Sequence, residues 1–253
     1  MRILLLLSFL LWADGAVGQG KFSAIWQPVC TMGSDASAGC DDIRAREILD
    51  ASTEPWRAVG RVNFAGLVQR SHCTGVLISE RQVLTAAHCL YNASRKRWIP
   101  ASSIRFAAGY QRGGAEGVTT VASYHMAKEQ GRDGHFDQHP ELDWAVLELT
   151  DPIGQQLGFF ELADGNTEQA FVVGYSGLRS HVLTRTGTCS ARHVTDALMQ
   201  AICPVMMGDS GAPLLVPTKD AFAVAGILSR ISPTPSGIDA LILDVSLFRL
   251  RGD

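Results

Sequence analysis

Short apolar runs closed by turn residues recur from Trp56 almost to the C-terminus. A first series covers 58–64, 74–78, 82–86, 104–108, 118–124 and 144–149, and a second covers 170–174, 181–188, 199–202, 213–216, 221–228 and 240–245. Many short runs with glycine and proline at their ends predict strands of an all-β sandwich or barrel. Between the two series, 151–166 carries Pro152, Gly154, Gly158 and Gly165 and reads as the crossover joining two halves. Two half-barrels would leave a cleft between them.

The N-terminal region follows another pattern. Arg2 gives a positive start, 3–12 is almost wholly apolar, and Ala16-Val17-Gly18 offers a small-residue cleavage site, so 1–18 is expected to be a secretory signal peptide. The apolar run is about half of the ~20 residues that a membrane-spanning helix needs. Residues 19–54 hold no sustained period and include Cys30 and Cys40, so they are expected to form a pro-segment or N-terminal extension. The main domain then runs 55–253, with a first half at about 55–150 and a second at about 165–248.

Composition changes this picture little. The 253 residues, 46% of them apolar, suffice for a sizeable core, and a net charge of -3 without a basic run gives no reason to expect nucleic acid as a partner. Six cysteines, an even number, suit an exported protein in an oxidising compartment, extracellular or periplasmic. Many full pairings are open. Order along the chain suggests three local bridges, Cys30–Cys40, Cys73–Cys89 and Cys189–Cys203.

The candidate chemistry lies in three separated stretches. Gly208-Asp209-Ser210-Gly211 sets a serine in a glycine turn, Ala86-Ala87-His88-Cys89 offers a base, and Leu142-Asp143-Trp144-Ala145 offers an acid leading an apolar strand. A serine hydroxyl is a poor nucleophile near neutral pH and needs an imidazole to take its proton, so His88 is the expected base for Ser210. Asp143 would hold the other ring nitrogen and steady the imidazolium. The backbone N–H groups of Gly208 and Ser210 would stabilise an oxyanion, each by about 3 kcal/mol. Only a tertiary fold can gather groups so far apart in sequence.

Competing residues are less suited. Ser176 in Gly174-Tyr175-Ser176-Gly177 is followed by Leu178, where a hydrolase elbow wants glycine. Asp133, Asp137 and Asp151 stand in polar or turn-like sequence. His125, His135 and His139 with Asp133 and Asp137 fit no compact zinc spacing, so no metal is expected. Asn92-Ala93-Ser94 matches the glycosylation sequon, which matters only in a host that makes N-glycans, and Arg251-Gly252-Asp253 is a three-residue match at a chain end.

The blocks Cys73-Thr74-Gly75-Val76-Leu77-Ile78, Val83-Leu84-Thr85-Ala86-Ala87-His88-Cys89, Asp143-Trp144-Ala145-Val146-Leu147 and Gly208-Asp209-Ser210-Gly211 resemble the trypsin-like serine peptidases. With its short second half, the chain resembles most the secreted bacterial and glutamyl-endopeptidase-like branch. The resemblance covers roughly 55–247. It implies an all-β chymotrypsin-like fold of two packed six-stranded antiparallel barrels, with the active site in the cleft between them. It also implies endopeptidase chemistry without metal or organic cofactor. The implied partners are protein or peptide substrates and a protein inhibitor, for a monomer with no membrane span once its leader is removed.

At the positions that set specificity the chain departs from its likenesses. Trypsin-type members carry an aspartate where this chain has Pro204, and glutamyl endopeptidases carry a histidine where it has Leu228. An apolar or small primary pocket is therefore expected, with Leu228, Ser229, Arg230 and Ile231 lining it and pairing with substrate as an added strand. In many relatives a newly cut terminal ammonium buries itself against the residue equivalent to Asp209. A cut between Cys40 and Arg57 is accordingly expected to mature the chain. Two other readings stay open: a catalytically weak or inactive protease-fold binding protein, and an esterase or acyl-transfer enzyme using the same serine.

Overall fold

The computed structural model describes Cys30 and residues 39–65, 70–163 and 167–249. The expected signal peptide, most of 19–38 and Arg251-Gly252-Asp253 lie outside the described residues. Sixteen strands follow one another among the described residues. The first nine are β1 (Glu47–Ile48), β2 (Val59–Ala65), β3 (Arg70–Leu77), β4 (Gln82–Thr85), β5 (Tyr91–Asn92), β6 (Arg97–Trp98), β7 (Ile104–Ala108), β8 (Gly117–Met126) and β9 (Ala145–Leu149). The rest are β10 (Phe171–Gly174), β11 (Thr184–Arg185), β12 (Arg192–His193), β13 (Leu198–Ile202), β14 (Pro213–Pro217), β15 (Phe222–Thr234) and β16 (Gly237–Asp244).

Six strands of the first half close an antiparallel barrel in the order β2-β3-β4-β9-β8-β7. Period-two burial drives it: along β9, Ala145, Leu147 and Leu149 are buried while Val146 and Glu148 are only half-buried. Val62, Val76, Leu84, Phe106 and Leu147 fill the interior, and burying each large side chain contributes about 1.5–3 kcal/mol. Closure leaves no unpaired edge. The second half is one antiparallel sheet of eight strands, ordered β1-β11-β10-β14-β15-β16-β13-β12. The all-β, chymotrypsin-like architecture expected from the sequence is borne out.

Residues 39–49 are built into the second half, and Ala51 N then donates to Gln111 Oε1 in the first half at 2.8 Å. Helix α1 (Cys40–Ala45) carries Asp41 and Asp42 in its first turn and Arg44 in its last, charges that suit its dipole. β1 then pairs with β11, Glu47 opposite Arg185 and Ile48 opposite Thr184, and the backbone N–H of Leu49 donates to Leu183 O. Ile43, Leu49 and Ala51 are buried.

Three disulfides, Cys30–Cys40, Cys73–Cys89 and Cys189–Cys203, span Cα distances of 5.5, 6.1 and 5.2 Å. Among the described residues no helix is long and apolar enough to cross a membrane.

Candidate active site

Asp143 follows the short turn Pro140–Leu142 and stands two residues before β9, and its side chain is almost wholly buried. A buried carboxylate must be met by donors, and three meet this one. The His88 backbone N–H donates to Oδ1 at 2.8 Å, His88 Nδ1 lies 2.9 Å from Oδ2 and 3.1 Å from Oδ1, and Ser229 Oγ donates to Oδ2 at 2.6 Å. His88 sits on the 3-10 turn Ala87–Leu90, after β4. Small residues at 86 and 87 let this turn approach the acid, and the Ala87 N–H donates to Asp143 O. With its Nδ1 proton directed at the carboxylate, the neutral imidazole keeps Nε2 free of a proton.

The turn bearing Ser210 is fixed from several directions. Gly211 N donates to Leu228 O at 2.8 Å and Leu228 N to Ala212 O at 2.9 Å, tying the turn to β15. Across the boundary between the halves, Thr74 N donates to Ser210 O at 2.9 Å and Thr74 Oγ1 to Gly208 O at 2.8 Å. Gly208 has φ 95°, and a Cβ there would fall 2.3 Å from Tyr175 O and 2.7 Å from His72 Nε2. Met207 O accepts a hydrogen bond from Gly177 N at 2.6 Å. Because the peptide is planar and trans, the Gly208 N–H then points to the side away from Gly177.

Asp209 points the other way, into the protein. Its Oδ2 accepts from Arg46 Nη1 at 2.7 Å and from Met206 N at 3.0 Å, and both side chains of the Arg46–Asp209 pair are 0% exposed. Arg46 Nη2 also donates to Thr184 O at 3.0 Å.

His88 and Ser210 line one cavity of about 280 Å³, together with Phe64, His72, Tyr91, Met207 and Gly208. His72 Nε2 donates to Tyr175 O at 2.9 Å. Burial, and next the charge of Arg61, hold this imidazole below the ordinary histidine range.

Of the residues expected in the primary pocket, none lines this cavity. Leu228 and Ser229 are fully buried, Ile231 nearly so and Pro204 half-buried, while Arg230 Nη2 donates to Gln138 O at 2.7 Å. Ser229 reaches the acid rather than a pocket wall. Ser176 is fully buried. His139 pairs with Asp137 on the surface at 2.7 Å. Among the described residues, the cluster within metal-ligating distance is Cys73, His88 and Cys89, but its sulfurs are joined to each other, leaving one imidazole as a donor. Thr74, His72 and Arg46 were not expected in the site. Thr74 is an ordinary strand residue by pattern, and nothing near Arg46 in the sequence signals a distant carboxylate.

A closed β-barrel and an eight-stranded sheet, bridged by a buried hydroxyl–carboxylate–imidazole chain, define a chymotrypsin-like protein. The chain belongs to the trypsin family of serine endopeptidases, whose family model, described as Trypsin, matches residues 49–241. A glutamyl endopeptidase of Bacillus licheniformis is 26% identical over 125 residues, a stretch that spans 48% of this chain and 35% of that protein. Among solved structures, a Glu endopeptidase in complex with MPD has a TM-score of 0.64 at 18% identity, covering 81% of this chain and 95% of the other. The thermostable serine protease AL20 from an extremophilic microorganism has a TM-score of 0.61 at 20% identity, covering 77% and 94%. The protease Anisep of Arthrobacter nicotinovorans has a TM-score of 0.60 at 17% identity, covering 76% and 92%. The expected likeness to bacterial, glutamyl-endopeptidase-like members is borne out.

Proposed function

We propose that this protein is a secreted serine endopeptidase that cleaves peptide bonds through an acyl-enzyme on Ser210. The observation that carries the reading is the hydrogen-bonded series from Ser229 through Asp143 to His88, with His88 and Ser210 on the wall of one cavity. Ser210 Oγ attacks the scissile carbonyl carbon as its proton passes to His88 Nε2, and Asp143 steadies the imidazolium. The carbonyl oxygen becomes an oxyanion that accepts hydrogen bonds from the N–H groups of Gly208 and Ser210. When the C–N bond breaks, His88 returns the proton to the departing amine. Water then attacks the ester, giving a proton to His88, and the acid product leaves as that proton returns to Ser210 Oγ.

Cleavage is expected after apolar or small residues. Leu228 and Pro204 stand where an acid-selecting histidine or a base-selecting aspartate would be needed, so the specificity in the name of the Bacillus relative is not carried over. The leader-like 1–18 and three disulfides support export.

The test is cleavage of a peptide library by the secreted protein, by Ser210→Ala and by His88→Ala. The reading requires cuts after apolar or small residues by the wild type and a loss of at least about 10⁴-fold in either variant. Wild-type protein that cuts no peptide would point to a binding module, and hydrolysis of esters alone to an esterase.

A further inference from the structure

Asp209 immediately precedes the proposed nucleophile and is wholly enclosed, so its negative charge needs a partner inside the protein. Among the described residues that partner is Arg46, on a segment 163 positions earlier in the chain. The guanidinium is held at both ends: Nη1 meets Asp209 Oδ2 and Nη2 meets Thr184 O. Oδ2 in turn receives the Met206 N–H, while Asp209 N donates to Met206 O. The ion pair therefore fastens the turn Met206-Met207-Gly208 that presents the Gly208 N–H. The segment carrying Arg46 is itself anchored, by β1 on β11, by Leu49 N on Leu183 O, by Arg179 bonded to Arg44 O and by the Cys30–Cys40 bridge ahead of it.

We infer that Arg46 is the built-in counter-ion of Asp209 that shapes the oxyanion hollow, so that the working enzyme keeps its chain intact through Arg46 and requires no freshly cut amino terminus there. Arg46 is a positioning residue, acting through Asp209 on Gly208 and Ser210, and the inference rests on the reading of Ser210 as nucleophile. It replaces the maturation cut expected from family resemblance: a cut beyond Arg46 would detach the cation that already occupies the place of the new ammonium. Lysine is a poor substitute, because one ammonium cannot match the fork that reaches both Asp209 and Thr184.

Arg46→Ala and Arg46→Lys are compared with wild type for kcat and KM on one peptide, for the rate of fluorophosphonate labelling of Ser210, and for thermal midpoint. Arg46→Ala is expected to lower kcat and labelling rate by about 10²-fold, the scale of one lost oxyanion donor, with a much smaller change in KM. Arg46→Lys should recover part of the loss, and ethylguanidinium added to Arg46→Ala should restore part of it. Wild-type labelling and kcat in a folded Arg46→Ala would overturn the inference.

Because that variant removes half of a buried pair and can fail to fold, the wild-type enzyme supplies a second measurement. The fluorophosphonate-labelled species is isolated and its N-terminus sequenced. A first residue upstream of Arg46 is expected, and full activity in a chain that begins at Arg46 or later would overturn the inference. If wild-type protein takes no label on Ser210, the nucleophile reading itself falls. A labelled wild type with indifferent Arg46 variants sinks the counter-ion role alone.

Discussion

Three donors converge on the buried carboxylate of Asp143, and one of them, Ser229 Oγ, belongs to the second half of the molecule. A hydrogen bond to a charged group is worth about 1.5–3 kcal/mol. Ser229→Ala should therefore lower kcat at least roughly tenfold, with KM nearly unchanged if the hydroxyl acts on the acid alone; a rise in KM at constant kcat would return Ser229 to the substrate pocket. His72 gives a pH-dependent expectation. Its folded pKa lies below the ordinary value, through burial first and Arg61 next, so the unfolded chain takes the proton first as pH falls. Stability is then fully present above the usual histidine pKa of about 6.5 and declines as pH drops from there toward the folded value. Thermal midpoints between pH 5 and pH 7.5 should show a shallower acid decline in His72→Gln than in wild type, and equal slopes would contradict the assignment. Asp143 was legible as an acid because it leads an apolar strand. The part played by Ser229 was not, since strand alternation says which face a residue takes but not which polar group waits there.

Two elements hold the turns that carry His88 and Ser210, and each can be broken separately. The turn at 206–211 needs a residue free to adopt φ 95° beside Tyr175 O, which only glycine does without strain. Gly208→Ala should cost about 10²-fold or more in kcat and also lower the thermal midpoint, because its Cβ would fall 2.3 Å from Tyr175 O; unaltered kcat would show that the turn does not shape the hollow. The Cys73–Cys89 bridge staples β3 to the turn of His88. A loop of this size contributes about 3 kcal/mol in the chain-entropy model, so the double Cys→Ser variant should melt roughly 5–10 °C lower.

A barrel strand such as β9 was legible because five residues with alternating burial leave a readable period. The strands β1, β5, β6, β11 and β12 have two residues each, too short for any period, and the pairing of β1 with β11 is decided by neighbours remote in sequence. β15 runs on to Thr234 because its hairpin with β16 continues past the apolar core.

At the scale of the whole molecule, the site exists only where the two halves meet. Thr74 of the barrel grips Ser210 O and Gly208 O, Ser229 of the second sheet grips Asp143, and Arg46 of the N-terminal segment grips Asp209. Motif residues in the right order announced that convergence, since His88, Asp143 and Ser210 carry their flanking sequence with them. Arg46 carried no such context: it is one arginine in a polar segment, and its importance arises from enclosure that only the folded chain creates.

The central claim is that His88 activates Ser210 as the sole nucleophile, and mass-spectrometric mapping of a fluorophosphonate adduct tests it most directly. The account predicts one adduct, on Ser210, formed at least about 10³-fold more slowly in His88→Ala. An adduct on another residue, or peptide cleavage that persists in protein carrying none, would contradict it.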